Sequence, residues 1–241
     1  MPPEAARSFG RQAELYDRAR PGYPAQAVAW LVPEAARRLV DVGAGTGKFT
    51  ELLAGPGREL IAVDHDAAML ERLQTRVPSA RTVVGRAESL PLPDASADFL
   101  GYAQAWHWVD VAAASREAAR VLRPGGVLGL IWNLRDLRVP WVAELSRAMG
   151  GSDAAALFER GGPTVAAPFA GLESAEFGWS MHLTVEGLVE LAASRSFLIT
   201  ADEATRSTAL DAVRALGERV AGGDGHVELP YVTRAFRSTR P

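Results

Sequence analysis

The residues of this chain best suited to chemistry are three carboxylates, a run of alternating glycines, and a histidine set between two tryptophans. Asp41 closes the apolar run Leu39-Val40 and leads into Val42-Gly43-Ala44-Gly45-Thr46-Gly47. Asp64 closes a second run, Leu60-Ile61-Ala62-Val63, twenty-one positions after Gly43, and Glu88 ends a third stretch that starts at Arg81. Glycines at alternate positions let the backbone turn sharply and approach a ligand with no Cβ atom in the way. A helix that starts beyond such a turn points free N–H groups at its occupant, which suits a nucleotide or another polar ligand. A carboxylate at the end of the neighbouring strand can accept hydrogen bonds from a pair of ribose hydroxyls. Asp64 has a second reading as the N-cap of the next helix, a role equally open to Asp66. Farther on, Gln104-Ala105-Trp106-His107-Trp108 places an imidazole, which titrates near neutrality, among aromatic rings.

These residues need a scaffold, and the hydrophobic pattern supplies one. The runs ending at Asp41-Val42 and Asp64 read as buried strands, and Phe49, Leu52 and Leu53 fall at helical spacing before Gly55-Pro56-Gly57 stops that helix. A helix over 67–76, a third strand over 81–88, a loop at 90–94, a fourth strand over 95–104 and a fifth over 127–132 follow in order. Repeated strand–helix–strand units predict an α/β fold, a parallel doubly wound sheet with its ligand over the carboxyl ends of the strands. Beyond residue 135 the pattern predicts a helix over 137–158, a strand over 176–183, amphipathic helices over 184–194 and 202–220, and a terminal strand over 227–236. Those helices read as a cap inserted into one domain, with 8–135 as the cofactor-binding core, 136–226 as substrate-shaping insertions and 227–241 as the closing strand.

Composition narrows the partners. The chain has 241 residues, of which 48% are hydrophobic, enough for a large core. With no cysteine, disulfides, thiolate metal sites and a cysteine nucleophile are excluded, as suits a cytoplasmic protein. No metal centre is expected. No apolar run approaches the ~20 residues that span a bilayer, and the opening residues lack the apolar centre of a signal peptide. The net charge is −3 and the cationic residues, all arginine except Lys48, are scattered, so neither a nucleic acid nor a membrane is expected as partner. A small-molecule substrate is the expectation; oligomeric state is open.

The glycine spacing departs from the dinucleotide fingerprint GxGxxG, because Gly47 comes one position early and Lys48 stands where the third glycine belongs. With its acidic strand end, the stretch resembles the first motif of the class I S-adenosylmethionine-dependent methyltransferases. The resemblance covers roughly residues 8–135. It implies a Rossmann-like sheet of seven strands, mostly parallel with one antiparallel strand, and S-adenosylmethionine (AdoMet) as cofactor. It also implies cofactor contacts from Tyr16 and Arg20 in an amino-terminal lid, from Asp41, Gly43, Ala44, Gly45, Thr46 and Gly47, from Asp64, His65 and Met69, and from Ala87, Glu88 and Ala103. The segment after the fourth strand lacks the Asn/Asp-Pro-Pro-Tyr/Phe tetrapeptide of enzymes that methylate bases or glutamine, and it lacks the acidic cluster of metal-dependent catechol-type enzymes. Its Ala-x-His-Trp pattern resembles a small-molecule branch that includes trans-aconitate methyltransferase, which esterifies a carboxylate.

By that resemblance His107 is the catalytic candidate, while Trp106 and Trp108 read as pocket wall and core. Tyr23, Trp106, Trp132, Asn133, Arg135, Trp141 and Arg195 are candidate substrate contacts. Methyl transfer to an O or N atom of a small molecule is the expected activity. A nicotinamide-dependent oxidoreductase and a non-catalytic AdoMet-binding protein are the alternatives.

Overall fold

The computed structural model describes residues 21–241 apart from Ser152, with Ser196 described by its backbone alone. Seven strands form one sheet in the order β3-β2-β1-β4-β5-β7-β6. They are β1 (Arg38–Val42), β2 (Glu59–Asp64), β3 (Arg81–Val84), β4 (Ala97–Ala103), β5 (Leu122–Arg135), β6 (Glu173–Thr184) and β7 (His226–Thr239). The first five pair in parallel, with Leu39 opposite both Leu60 and Phe99, and Leu100 opposite Leu128. β7 runs against β5: Gly126 bonds Arg240 near one end and Asp136 bonds Pro230 near the other. The order reverses on either side of β1 and β4, so both strands end at the crevice where α/β sheets take their ligands.

The helices are α1 (Ala25–Leu31), α2 (Lys48–Leu53), α3 (Ala67–Arg76), α4 (Val111–Val121), α5 (Pro140–Ala148), α6 (Asp153–Glu159), α7 (Val185–Ala193), α8 (Ser196–Thr200) and α9 (Glu203–Val220). Local chemistry sets most of their starts. Asp66, Asp110, Thr184 and Asp202 each accept a backbone N–H of the first turn with their side chains. Such a cap is worth about 1 kcal/mol. The capping role that Asp64 and Asp66 could share therefore falls to Asp66, and Asp64 keeps its carboxylate at the strand end.

Three expected elements come out differently. The third strand ends at Val84, because at Gly85 the chain passes so close to Pro91 that a Cβ would stand 2.7 Å from its ring. Glu88 consequently lies on a turn beyond the strand. The long helix expected over 137–158 is two helices, α5 and α6, broken where Gly150 takes a left-handed φ of +72°. β5 starts five residues earlier than expected, with Leu122 paired to Ala97 across an irregularity in the ladder.

The chain divides into two compact units. The larger comprises Gly22–Asn133, Asp153–Phe177 and Thr233–Pro241, with Leu31, Leu39, Phe49, Leu73 and Phe99 in its core. The smaller includes Leu134–Ser152 and Gly178–Val232, and it packs Leu145, Met149, Leu188, Leu198, Val213 and Leu216 together. None of the described helices is long and apolar enough to cross a membrane.

One arginine pins the loop after β3. Arg120 donates to the carbonyls of Leu90 and Leu92 and to Glu117 and Asp94, while Glu117 accepts the N–H of Leu90 at 2.6 Å. A lysine cannot reproduce this fork. Arg120→Lys is expected to cost about 1 to 3 kcal/mol in urea unfolding, the scale of lost charge-assisted bonds.

Candidate active site

The glycine turn is built so that one side of its backbone stays clear. Gly43, Gly45 and Gly47 all take left-handed φ values, +71°, +54° and +86°. A Cβ on Gly43 would stand 2.7 Å from that of Ala105, and one on Gly47 would stand 2.7 Å from Leu73, so both glycines permit close packing within the protein. At Gly45 a Cβ would meet no described atom within 4 Å. The N–H groups of Gly43 and Ala44 bond the Val63 carbonyl, which ties the turn to β2.

Two carboxylates lie beneath it. Asp64 Oδ2 accepts the N–H of Gly45 at 2.8 Å and Oδ1 that of Asp66 at 2.9 Å. These bonds fix its orientation and leave each oxygen a second lone pair. His65 Nδ1 stands 3.2 Å from Asp64 Oδ1 with its ring largely exposed. Asp41 is fully buried: Thr50 donates to Oδ2 at 2.6 Å, and Oδ1 has no partner among the described residues. Burial, reinforced by the nearby Asp64 carboxylate, pushes the Asp41 pKa up to about 7 against the Thr50 bond. Thr50 carries no motif signal, and only its place in the first turn of α2 brings it to Asp41.

Thr46 and Ala44 are buried in the turn, and Met69 on α3, Ala87 after β3 and Ala103 at the end of β4 are partly buried. Glu88 Oε1 accepts the N–H of Asp110 at 3.1 Å, so its carboxylate also braces the start of α4. Tyr16 and Arg20 lie outside the described residues.

Beyond β4, Gln104 takes a φ of +55°, unusual for a residue with a side chain, and its amide donates to the Asn133 carbonyl at 3.1 Å. This bend launches a short 3-10 turn, Trp106–Trp108, whose tight rotation sends successive side chains in different directions. Trp106 is buried, donates to the Thr164 carbonyl at 2.9 Å and meets Tyr102 edge to face. Trp108 is 70% exposed, so it is not part of the core, and its ring centroid lies 4.8 Å from that of His107. His107 is half-buried, and burial pushes its pKa below the ordinary histidine value while Asp153 pulls the other way. Its Nδ1 accepts the indole N–H of Trp132 at 3.2 Å. Trp132 is fully buried and meets Phe158 and Phe236 edge to face. Both phenylalanines escaped the sequence reading because they lie 26 and 104 positions away, on elements recognisable only as a helix end and a terminal strand.

The other candidates divide by unit. In the larger, Asn133 spends its amide on the Gly22 carbonyl and on Thr233, and Tyr23 meets Phe49 edge to face at 5.6 Å. In the smaller, Arg135 donates to Ser146 at 2.7 Å, Trp141 packs on the helical core, and Arg195 precedes α8 as its N-cap residue.

A glycine turn leaving β1, acids at the ends of β1 and β2, and a closing antiparallel strand define a cofactor-binding methyltransferase fold. Residues 40–130 match the methyltransferase domain family. Over 235 residues the chain is 45% identical to an uncharacterized methyltransferase of Mycobacterium tuberculosis, covering 96% of this chain and 95% of that one. A partial match, 41% identical over 116 residues, joins 44% of this chain to 42% of a malonyl-[acyl-carrier protein] O-methyltransferase of Methylococcus capsulatus. In fold, it superposes on a protein assigned as a type II methyltransferase of Anaeromyxobacter dehalogenans with a TM-score of 0.63 at 22% identity, over 91% of this chain and 97% of that one. The chain belongs to the AdoMet-dependent methyltransferases.

The described residues fit AdoMet as the methyl donor. Space lies open beside the Gly45 backbone, Asp64 stands oriented at the neighbouring strand end, and Asp41 Oδ1 is a buried polar atom on β1 with no partner among the described residues. A cationic donor with ribose hydroxyls supplies partners for groups of this kind.

Proposed function

We propose that this methyltransferase acts on an oxygen of a small molecule, with a carboxylate as the acceptor. In this reading the turn from Gly43 to Gly47 and Asp64 hold AdoMet, with Asp41 beneath them and Met69, Ala87 and Glu88 toward the adenine. His107 faces the acceptor. AdoMet supplies a methyl group on a sulfonium whose positive charge vanishes as the thioether leaves. The protein's part is to align the acceptor and to exclude water.

The observation that carries this reading is the chemistry of residues 104–108. They offer one imidazole held by a buried indole, flanked by tryptophans, with no lysine and no carboxylate. A segment with no fixed charge of its own favours a transfer in which acceptor and donor charges cancel. The Ala-x-His-Trp resemblance to a carboxylate-esterifying branch and the partial match to an O-methyltransferase that acts on a malonyl group support the same acceptor class.

The test is a thermal-shift screen of the protein saturated with S-adenosylhomocysteine against small acids, alcohols and amines. Ligands that bind only the native state raise its melting temperature by mass action. Acids should raise it, and more strongly with the product present than without. Stabilisation by amines alone would overturn the reading.

A further inference from the structure

The hydrogen bond between Trp132 and His107 limits what this histidine can do. An indole N–H only donates, so the nitrogen it meets, His107 Nδ1, must present a lone pair. A neutral imidazole with a free lone pair on Nδ1 carries its proton on Nε2. Putting a proton on Nδ1, whether in the other neutral tautomer or in the cation, sets two N–H groups against each other and strands a buried donor.

Trp132 is not free to turn away from that conflict. It is fully buried, with Phe158 and Phe236 packed edge to face against it at 5.5 and 6.0 Å. Phe158 is itself stacked on Phe236 and covered by the Arg234 guanidinium at 5.0 Å. The indole is thus a fixed donor, and His107 must adapt to it. The charged group that opposes this is Asp153 at the start of α6, whose carboxylate favours the imidazolium but is outweighed by burial.

We propose that Trp132 is a positioning residue that locks His107 as a neutral imidazole with its proton on Nε2, so that His107 donates a hydrogen bond to an acceptor already ionised and does not deprotonate it. An imidazole in this state has no lone pair left for a hydroxyl proton, since Nε2 is protonated and Nδ1 is engaged. It can orient an anionic oxygen, and a carboxylate needs nothing more: its oxygen forms the C–O bond, the C–S bond electrons go to sulfur, and no proton moves. This inference rests on the O-methylation reading and narrows it, because alcohols and phenols, which must lose a proton, gain no base from a histidine held in this state.

The test is nitrogen NMR on the whole protein labelled with 15N-histidine, the His107 signals being assigned by their loss in His107→Gln. In wild type, Nε2 should appear protonated and Nδ1 unprotonated at neutral pH, and Nδ1 should take up a proton only well below the pH usual for histidine. Trp132→Phe keeps a ring in the cluster and deletes the N–H. In that variant the His107 midpoint should rise by about one pH unit, tenfold in protonation equilibrium, the worth of one hydrogen bond. A protonated Nδ1 in wild type at neutral pH overturns the lock, whether or not the variant folds. So does an unchanged midpoint in folded Trp132→Phe. The acceptor is judged separately: a locked His107 in a protein that methylates alcohols overturns the donor role and the carboxylate reading while leaving the tautomer assignment intact.

Discussion

Replacing Asp41 by Asn should remove a large pH dependence from the stability of the protein. The buried carboxyl holds its proton up to about pH 7 in the native state and releases it near 3.8 once unfolded. Its native pKa is the higher one, so its contribution to stability is fully present below pH 3.8 and is lost as the pH rises through about 7. At roughly 1.4 kcal/mol for each pH unit between the two values, the loss comes to about 4 kcal/mol. Asn keeps the oxygen that Thr50 needs and cannot ionise. Urea unfolding of both proteins at pH 4, 6 and 8 should give a difference, variant minus wild type, that grows by about 4 kcal/mol across the series. Parallel curves would mean that Asp41 is ionised in the native protein and that some other group satisfies Oδ1.

Gly45→Asn should weaken AdoMet binding about a hundredfold while the fold survives. Asn tolerates left-handed φ better than most residues, and no described atom lies within 4 Å of the new Cβ, so little in the protein itself opposes the substitution. The side chain instead enters the space assigned to the cofactor. Overpacking there should weaken AdoMet by about 3 kcal/mol, a hundredfold in Kd. Gly57→Asn is the matched control, because Gly57 has a φ of +72° with equally open surroundings and lies just before the amino end of β2, opposite the carboxyl strand ends. Calorimetric titration should show wild-type affinity for the control and a Kd raised about a hundredfold for Gly45→Asn. Equal affinities in the two variants would move the cofactor off the turn.

How much of this was legible in the residues follows from the range of the forces involved. The glycine turn, the acids at Asp41 and Asp64, and the order of the first five strands are local matters of periodicity and backbone freedom, and a sequence displays them directly. The capping choice between Asp64 and Asp66 was open in sequence and is decided by one hydrogen bond to Ala68. The third strand looked longer than it is because Gly85 gives no local sign of the proline packed against it. Gly150 interrupts a pattern that reads as one helix. Less legible still was the surrounding of His107. The bond from Trp132 spans 25 positions, and the Phe158 and Phe236 rings come from a helix and a strand far along the chain. Residue types named histidine and tryptophan as candidates, but which nitrogen is occupied, and by what, depends on tertiary packing. The same holds for Trp108, which a short 3-10 turn sends outward although its composition suits a core.

The acceptor assignment can be tested directly by following the methyl group. The protein is incubated with methyl-labelled AdoMet and a small-molecule extract, and the products are treated with mild alkali. A methyl ester releases its label as volatile methanol, whereas N-methyl and ether products keep theirs. Label is expected to become volatile after alkali, in amounts that follow the carboxylic-acid fraction of the extract. Label that forms in an enzyme-dependent way but stays alkali-stable in amine or alcohol fractions would contradict it.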